Sequence, residues 1–224
     1  KVKKNSIGTP DVVTAPSQHI INIHQRHGFF HKSKTKRVRL GVGNIKSTPP
    51  DPPESPSVLY VGNIRKEKGI ETLLKAATTS PQITFHICGS GNQANKVEHY
   101  AQNNKNIEYH GFVSDEKLRS LREDVSCAIV PSIWMENSPM TIYESYAAGI
   151  PVVGSNIGGI PELIQRKETG ELFAPGDHKS LRKSLSNILS SNNKEEMRKN
   201  ALEWASSHTI DDHIEELIES IYEI

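Results

Sequence analysis

From Ser57 onward two rhythms of apolar and polar positions alternate along the chain. Short apolar runs, "VLYVG" (58–62), "ITFHICG" (83–89), "IEYHG" (107–111), "CAIVP" (127–131), "IPVVG" (150–154) and "ELFAP" (171–175), are each followed by a polar stretch with spaced apolar residues. The runs are too short for helices and too continuous for a strand with one wet face, so they predict strands covered on both sides. The intervening stretches predict helices near 70–79, 93–103 and 115–123, another after Ser138, a short one at 160–164, and one at 178–189. Strand–helix alternation of this kind predicts an α/β fold with a doubly wound, mostly parallel sheet. The tail, 194–224, carries an apolar face (Leu202, Ile214, Leu217, Ile218, Ile221) and predicts two helices broken near 206–209.

Upstream of Ser57 the pattern is less regular. "DVVTAPS" reads as a strand at Val12 and Val13 running into an N-cap at Ser17. "QHIINIHQRHG" reads as a helix stopped by Gly28, and "KRVRLGV" as a further strand. "STPPDPPESP", Ser47 to Pro56, holds five prolines and is expected to be an extended linker. A chain rarely opens a fold in this way, so the segment is expected to be the end of something longer.

Charge narrows the choice of partner. Lys+Arg total 27 and Asp+Glu 26, a net charge of +1 that argues against nucleic acid. No apolar run approaches the ~20 residues of a membrane span, and the opening "KVKKNSIGTPDVV" lacks the apolar core of a secretory signal. A cytoplasmic location is expected. Cys88 and Cys127 each lie in a short apolar run and read as reduced core thiols. His19, His24, His27 and His31 crowd one segment, but no cysteine or carboxylate joins them nearby, so they read as a polar helix face.

Gly62, Gly89, Gly91, Gly111, Pro131 and Gly154 all fall at or just beyond the carboxyl ends of the expected strands. In an open parallel sheet those ends form the edge where ligands bind, and glycine there lets backbone N–H groups approach a ligand closely. The "GSG" of Gly89–Gly91 is not a full GxGxxG and is weak by itself. The helix after Ser138 is better specified: Ser138 is expected as N-cap and Pro139 as the first helical residue. The free N–H groups of Met140 and Thr141 would then form an anion site suited to phosphate. Glu136 lies just before that helix and Glu144 inside it, and carboxylates are suited to accept hydrogen bonds from sugar hydroxyls. Arg65, Lys66 and Lys68 follow the first strand of the series, where cations would neutralise a diphosphate.

Together "YVGNIRKEKGIETLLKA", "FHICGSGNQ", "IEYHGFVSDEKL", "ENSPMTIYESYAAGIPVVGSNIGGIPELI" and "TGELFAPGD" resemble, in order and spacing, the C-terminal donor-binding domain of GT-B retaining glycosyltransferases of the family 4, or group 1, type. The resemblance implies a Rossmann-like nucleotide-sugar-binding domain at 57–193, preceded at 1–56 by a remnant of the N-terminal acceptor domain, a crossover and a Pro-rich linker. It implies that the helices of 194–224 pack back toward that N-terminal domain. By this likeness Glu136 binds the donor sugar, Glu144 the ribose, and Lys68 the diphosphate. Ser138 and the N–H groups of Met140 and Thr141 serve the phosphate region. Gly62, Asn63 and Arg65 line the diphosphate loop, and Gly89, Gly91 and the stretch from Gly111 to Val113 border the base. Asn63 stands where the family usually carries arginine, with Arg65 as the nearest substitute, and a histidine that the family's N-terminal domain supplies has no counterpart among the ten here.

The resulting expectation is a hexosyltransferase that uses a UDP- or GDP-sugar, needs no metal or cofactor, and acts on a glycan or lipid-linked acceptor bound by the absent domain. The isolated chain is expected to be inactive, and a lipid-linked acceptor would bring the parent to the inner membrane face. The rival expectations are a GT-B-type nucleotide-sugar epimerase or phosphorylase, and a non-catalytic nucleotide-binding module.

Overall fold

The computed structural model describes residues 9–222. A small N-terminal unit comprises β1 (Val12–Ala15), α1 (Gln18–Arg26) and β2 (Lys34–Arg37), with β1 and β2 paired in parallel. The remainder alternates as the apolar rhythm predicts. In chain order it runs β3 (Ser57–Val61), α2 (Ile70–Thr78), β4 (Thr84–Cys88), α3 (Ala94–Asn103), β5 (Ile107–Gly111), α4 (Asp115–Glu123) and β6 (Cys127–Val130). It continues with α5 (Met140–Ala147), β7 (Val152–Ser155), β8 (Gly170–Phe173), α6 (His178–Leu189), α7 (Lys194–Ser206) and α8 (Ile210–Tyr222). Short 3-10 turns occupy Lys66–Lys68 and Ile160–Glu162.

The six strands β3 to β8 form one parallel sheet in the order β5-β4-β3-β6-β7-β8. Chain order runs outward from β3 on one side and from β6 on the other, so the switch point lies between those two strands. Successive side chains point to opposite faces. Val58 and Tyr60 of β3 join Phe85, Ile87, Ile129 and residues of α2, α3 and α6 in one core. Leu59 joins Ala128, Val130, Val152 and residues of α5 and α7 in the other. Both faces are therefore covered, which explains why the strands read as continuous apolar runs. Cys88 and Cys127 are buried free thiols, and burial pushes them up to about 11 and about 12.

The N-terminal unit is seated on the sheet domain by Glu162. Its carboxylate accepts the backbone N–H groups of Gln18 and His19 at 2.9 and 2.7 Å and pairs with Arg37 at 3.5 Å. Ser17 caps α1 as expected, its Oγ accepting from the Ile20 N–H, and Gly28 follows the helix in a left-handed conformation. His24 and His27 turn their Nδ1 atoms onto the Ile20 and Ile23 carbonyls, one turn back on α1. The second strand sits earlier than "KRVRLGV" suggested. Its length is fixed by four residues of β1 lying opposite Lys34–Arg37, and Val42 makes only an isolated bridge to Thr209.

The tail helices have different surroundings. α7 lies on α5, with Trp204 edge-on to Tyr143 and Tyr146. The buried guanidinium of Arg198 donates to the Val125 carbonyl ahead of β6. α8 turns toward β1, and His213 Nδ1 lies 2.6 Å from the Arg39 carbonyl. The stripe of Ile210, Ile214, Ile218 and Ile221 on α8 is exposed. Among the described residues no helix is long and apolar enough to cross a membrane.

Candidate functional site

Three loops leave the carboxyl ends of β3, β6 and β7 and are stitched together at the switch point. Gly69 adopts a left-handed backbone (φ 76°), and a Cβ there would overlap the Pro131 carbonyl. The loop after β3 therefore lies flush against the end of β6, an approach secured by the Ile133 N–H donating to the Glu67 carbonyl at 3.0 Å. Gly159 makes a second close approach: its N–H donates to the Glu136 carbonyl at 2.7 Å, and a Cβ would overlap the Asn137 carbonyl. Ser155 Oγ donates to the Ser132 carbonyl at 2.6 Å.

This stitching brings Lys68 and Glu136 together although 68 positions separate them. Lys68 Nζ donates to Glu136 Oε1 at 2.6 Å, and Ser132 Oγ donates to the same oxygen at 2.7 Å. The Glu136 side chain is 15% exposed and that of Lys68 34%. The pair is thus part-shielded but within reach of solvent. Arg65, on the same loop as Lys68, pairs with Glu67 at 3.8 Å and is exposed. Asn63 is exposed, and its carbonyl accepts from the buried Tyr60 hydroxyl at 2.8 Å. Burial, then the charges of Glu136 and Glu67, push that phenol above its ordinary range, so it stays a hydrogen-bond donor.

The helix start differs by one residue from the sequence expectation. Pro139, extended at φ −70° and ψ 117°, is the N-cap, and α5 begins at Met140. Ser138 does not cap. Its Oγ meets the hydroxyl of the fully buried Tyr143 at 2.8 Å, satisfying a group that would be costly to leave alone. Met140 and Thr141 remain the first two helical residues, whose N–H groups have no partner within the helix. Glu144, just over one turn on, pairs with Arg122 of α4 at 2.7 Å. Both line a cavity of about 370 Å³ bordered by Val42, Asn44, Asp115 and Arg119.

The loops after β3 and β4 also touch. A Cβ on Gly89 would overlap the Gly62 carbonyl, and one on Gly91 the Ile64 carbonyl, while the Ile64 N–H donates to the Ser90 carbonyl at 2.8 Å. Gly111 is left-handed (φ 64°), and after it the Phe112 side chain is exposed while Val113 packs on the core. The structure thus joins Lys68 to Glu136 and the Gly62 loop to the Gly89–Gly91 loop. It sets Glu144 apart, against Arg122. Ser132 and Arg122, which directly hold the two glutamates, carry no local sequence signal. Arg122 acts across space on a residue that only the fold brings near, whereas Ser132 stands four residues before Glu136 in the same loop.

A sheet switch point with glycine-tight loops, a lysine–glutamate pair and a helix N-terminus is an arrangement suited to phosphates and hydroxyls. Comparisons with known proteins agree in fold. The structure matches a lipopolysaccharide outer core galactosyltransferase, WaaB, with a TM-score of 0.83 at 21% identity, covering 95% of this chain and 62% of that one. It matches Anabaena HepE in complex with UDP and glucose with a TM-score of 0.80 at 20% identity, covering 96% of this chain and 64% of that one. In sequence, the chain is 29% identical over 149 residues to sulfoquinovosyl transferase SQD2 of Arabidopsis thaliana, covering 65% of this chain and 27% of that protein. The chain therefore spans about a quarter of that relative's length. The sequence model of the family described as glycosyl transferases group 1 matches residues 43–204, taking in the whole six-stranded sheet and each loop of the crevice, and to that family the chain belongs.

Proposed function

We propose that the crevice binds a nucleoside-diphosphate sugar and that the chain is the donor-binding part of a retaining hexosyltransferase. The donor is a UDP- or GDP-sugar, and the acceptor is a glycan or a lipid-linked saccharide bound mainly by residues outside this chain. The observation that carries this reading is the Lys68–Glu136 pair at the switch point, directly before the N-terminus of α5. HepE, a structural neighbour, is described with UDP and glucose bound, and WaaB as a galactosyltransferase acting in the lipopolysaccharide core, which supports a nucleotide-sugar donor and a saccharide acceptor.

The chemistry follows from charge. Breaking the bond from the anomeric carbon to the diphosphate leaves the electron pair on the leaving oxygen. Lys68 and the free N–H groups of Met140 and Thr141 stabilise that developing charge in place of a metal ion. Glu136 spends Oε1 on Lys68 and Ser132, and Oε2 takes neither bond, so Oε2 is the oxygen offered to a sugar hydroxyl. Glu144, held by Arg122 in its own cavity, serves the ribose hydroxyls. The acceptor hydroxyl attacks the anomeric carbon from the face the diphosphate leaves. Its proton passes to the departing diphosphate, so configuration is retained. Trp134 and Met135, both exposed just before Glu136, form the side from which an acceptor approaches. The open isoleucine stripe of α8 is the surface that folds back on the acceptor-binding part.

A panel of UDP-, GDP- and ADP-sugars in a thermal-shift assay tests this reading. Ligand at a hundred times Kd is expected to raise the melting temperature by about 5–11 °C for a chain of this size. No shift with any nucleotide or nucleotide sugar would overturn it in favour of a scaffolding module. Sugar transfer by the purified chain alone would contradict the proposed division of labour.

A further inference from the structure

We propose that His86, Glu108 and His110 form a binding site for a divalent transition-metal ion of the zinc class, where β4 and β5 pair just ahead of the Gly111–Val113 turn. β4 and β5 are parallel neighbours with His86 directly opposite Glu108. Glu108 and His110 are two positions apart on β5, so they share the face that His86 presents. β5 is the edge strand of the sheet, and Glu108 on it is half exposed.

The donor atoms converge. His86 Nδ1 lies 3.2 Å from both His110 Nε2 and Glu108 Oε2, and the third separation, His110 Nε2 to Glu108 Oε2, is 3.7 Å. A tetrahedral ion with bonds of about 2.0–2.1 Å holds its ligands about 3.3–3.4 Å apart, so the three atoms already stand close to one face of such a shell. Hydrogen bonding satisfies the cluster less well. His86 Nδ1 carries at most one proton and cannot donate to both neighbours. One cation engages all three lone pairs at once.

The surroundings support ligation. The two rings stack with centroids 5.4 Å apart and planes tilted by 25°, so each holds the other in place. The histidine side chains are 15% and 19% exposed, and that of Glu108 is 50% exposed, so the imidazoles are held and the carboxylate faces the entry path. Two nitrogens and one oxygen suit zinc, nickel or copper better than magnesium or calcium. Lys117 of α4 is a nearby cation whose charge acts on His110, and its side chain is exposed to solvent. The bound ion would tie the edge strand β5 to β4 just ahead of the Gly111–Val113 turn.

The test is titration of the chelator-treated chain with Zn²⁺, read by melting temperature, and with Co²⁺, read by its visible absorption. One ion per chain is expected, with a rise of about 5–11 °C at a hundred times Kd and a tetrahedral Co²⁺ spectrum. Glu108→Gln, at a half-exposed position, is expected to keep the apo melting temperature and weaken Zn²⁺ binding at least tenfold. His86→Asn with His110→Asn is expected to abolish the site, whereas His24→Asn with His27→Asn is expected to leave it unchanged. Absence of binding by the parent chain would overturn the proposal, as would Zn²⁺ affinity unchanged in Glu108→Gln.

Discussion

At the scale of single residues, the Lys68–Glu136 pair is central. Both side chains keep some solvent contact, so the bond between them is of the kind worth at most about 1 kcal/mol. Under the proposed function the ammonium keeps its bond to Glu136 and turns its remaining N–H groups to the diphosphate. Replacing Glu136 by Gln keeps the shape and removes the charge. The expected outcome in calorimetry is that the nucleotide sugar loses at least tenfold in affinity while the bare nucleoside diphosphate binds as before, or more tightly. Equal loss for both ligands would move Glu136 from the sugar to the phosphate. The buried thiols give a second check. With Cys88 at about 11 and Cys127 at about 12, neither is a thiolate at neutral pH. A thiol-specific reagent is expected to label neither until the chain unfolds; rapid native labelling would contradict the burial. Lys68, Glu136 and Glu144 were legible in the sequence because they sit in continuous local motifs. Arg122 and the His86–Glu108–His110 cluster were not, because each acts through a contact that exists only once two separate segments are adjacent; Ser132 lies four residues from Glu136, but a lone loop serine carries no motif that singles it out.

At the scale of elements, loops and helix ends decide the site. Gly159→Ala would drive a Cβ into the Asn137 carbonyl, and overpacking of this kind costs about 1–3 kcal/mol. A fall in melting temperature of about 2–12 °C is expected, together with weakened donor binding, because the displaced loop carries Glu136. A harmless substitution would mean that the loop is loose. The elbow between α7 and α8 is expected to respond to pH. His208 stacks on Trp204 with centroids 3.9 Å apart, among Arg39, Asp212 and Glu216, and burial, ahead of the charge of Arg39, lowers its pKa below the ordinary 6.5. Its neutral form fits the fold, so the unfolded chain binds the extra proton first. Stability is therefore full above about pH 6.5 and declines as pH falls from there toward the lowered value. His208→Gln is expected to flatten the melting-temperature profile in that window, and an unchanged slope would assign it elsewhere. Element types were readable from periodicity, whereas ends were not. Ser138 looked like a cap, but its hydroxyl serves the buried Tyr143, and β2 shifted because its partner strand, not its own composition, sets its length.

At the scale of the whole molecule, the sheet order β5-β4-β3-β6-β7-β8 turns local loops into one crevice. Alternation of strands and helices made a doubly wound sheet legible. The pairing of loops across the switch point was not, because a linear pattern carries no strand order. The open isoleucine stripe of α8 and the exposed Trp134 and Met135 share one meaning under the proposed function, as surfaces awaiting the acceptor-binding part. All of this depends on the crevice being a diphosphate site. The most direct measurement is calorimetric titration of the chain and of its Lys68→Ala variant with the best-binding nucleoside diphosphate. One site per chain is predicted, with affinity at least tenfold weaker in the variant and its melting temperature within a few degrees of the parent. Equal affinity in the two proteins, or no binding by the parent, would contradict it.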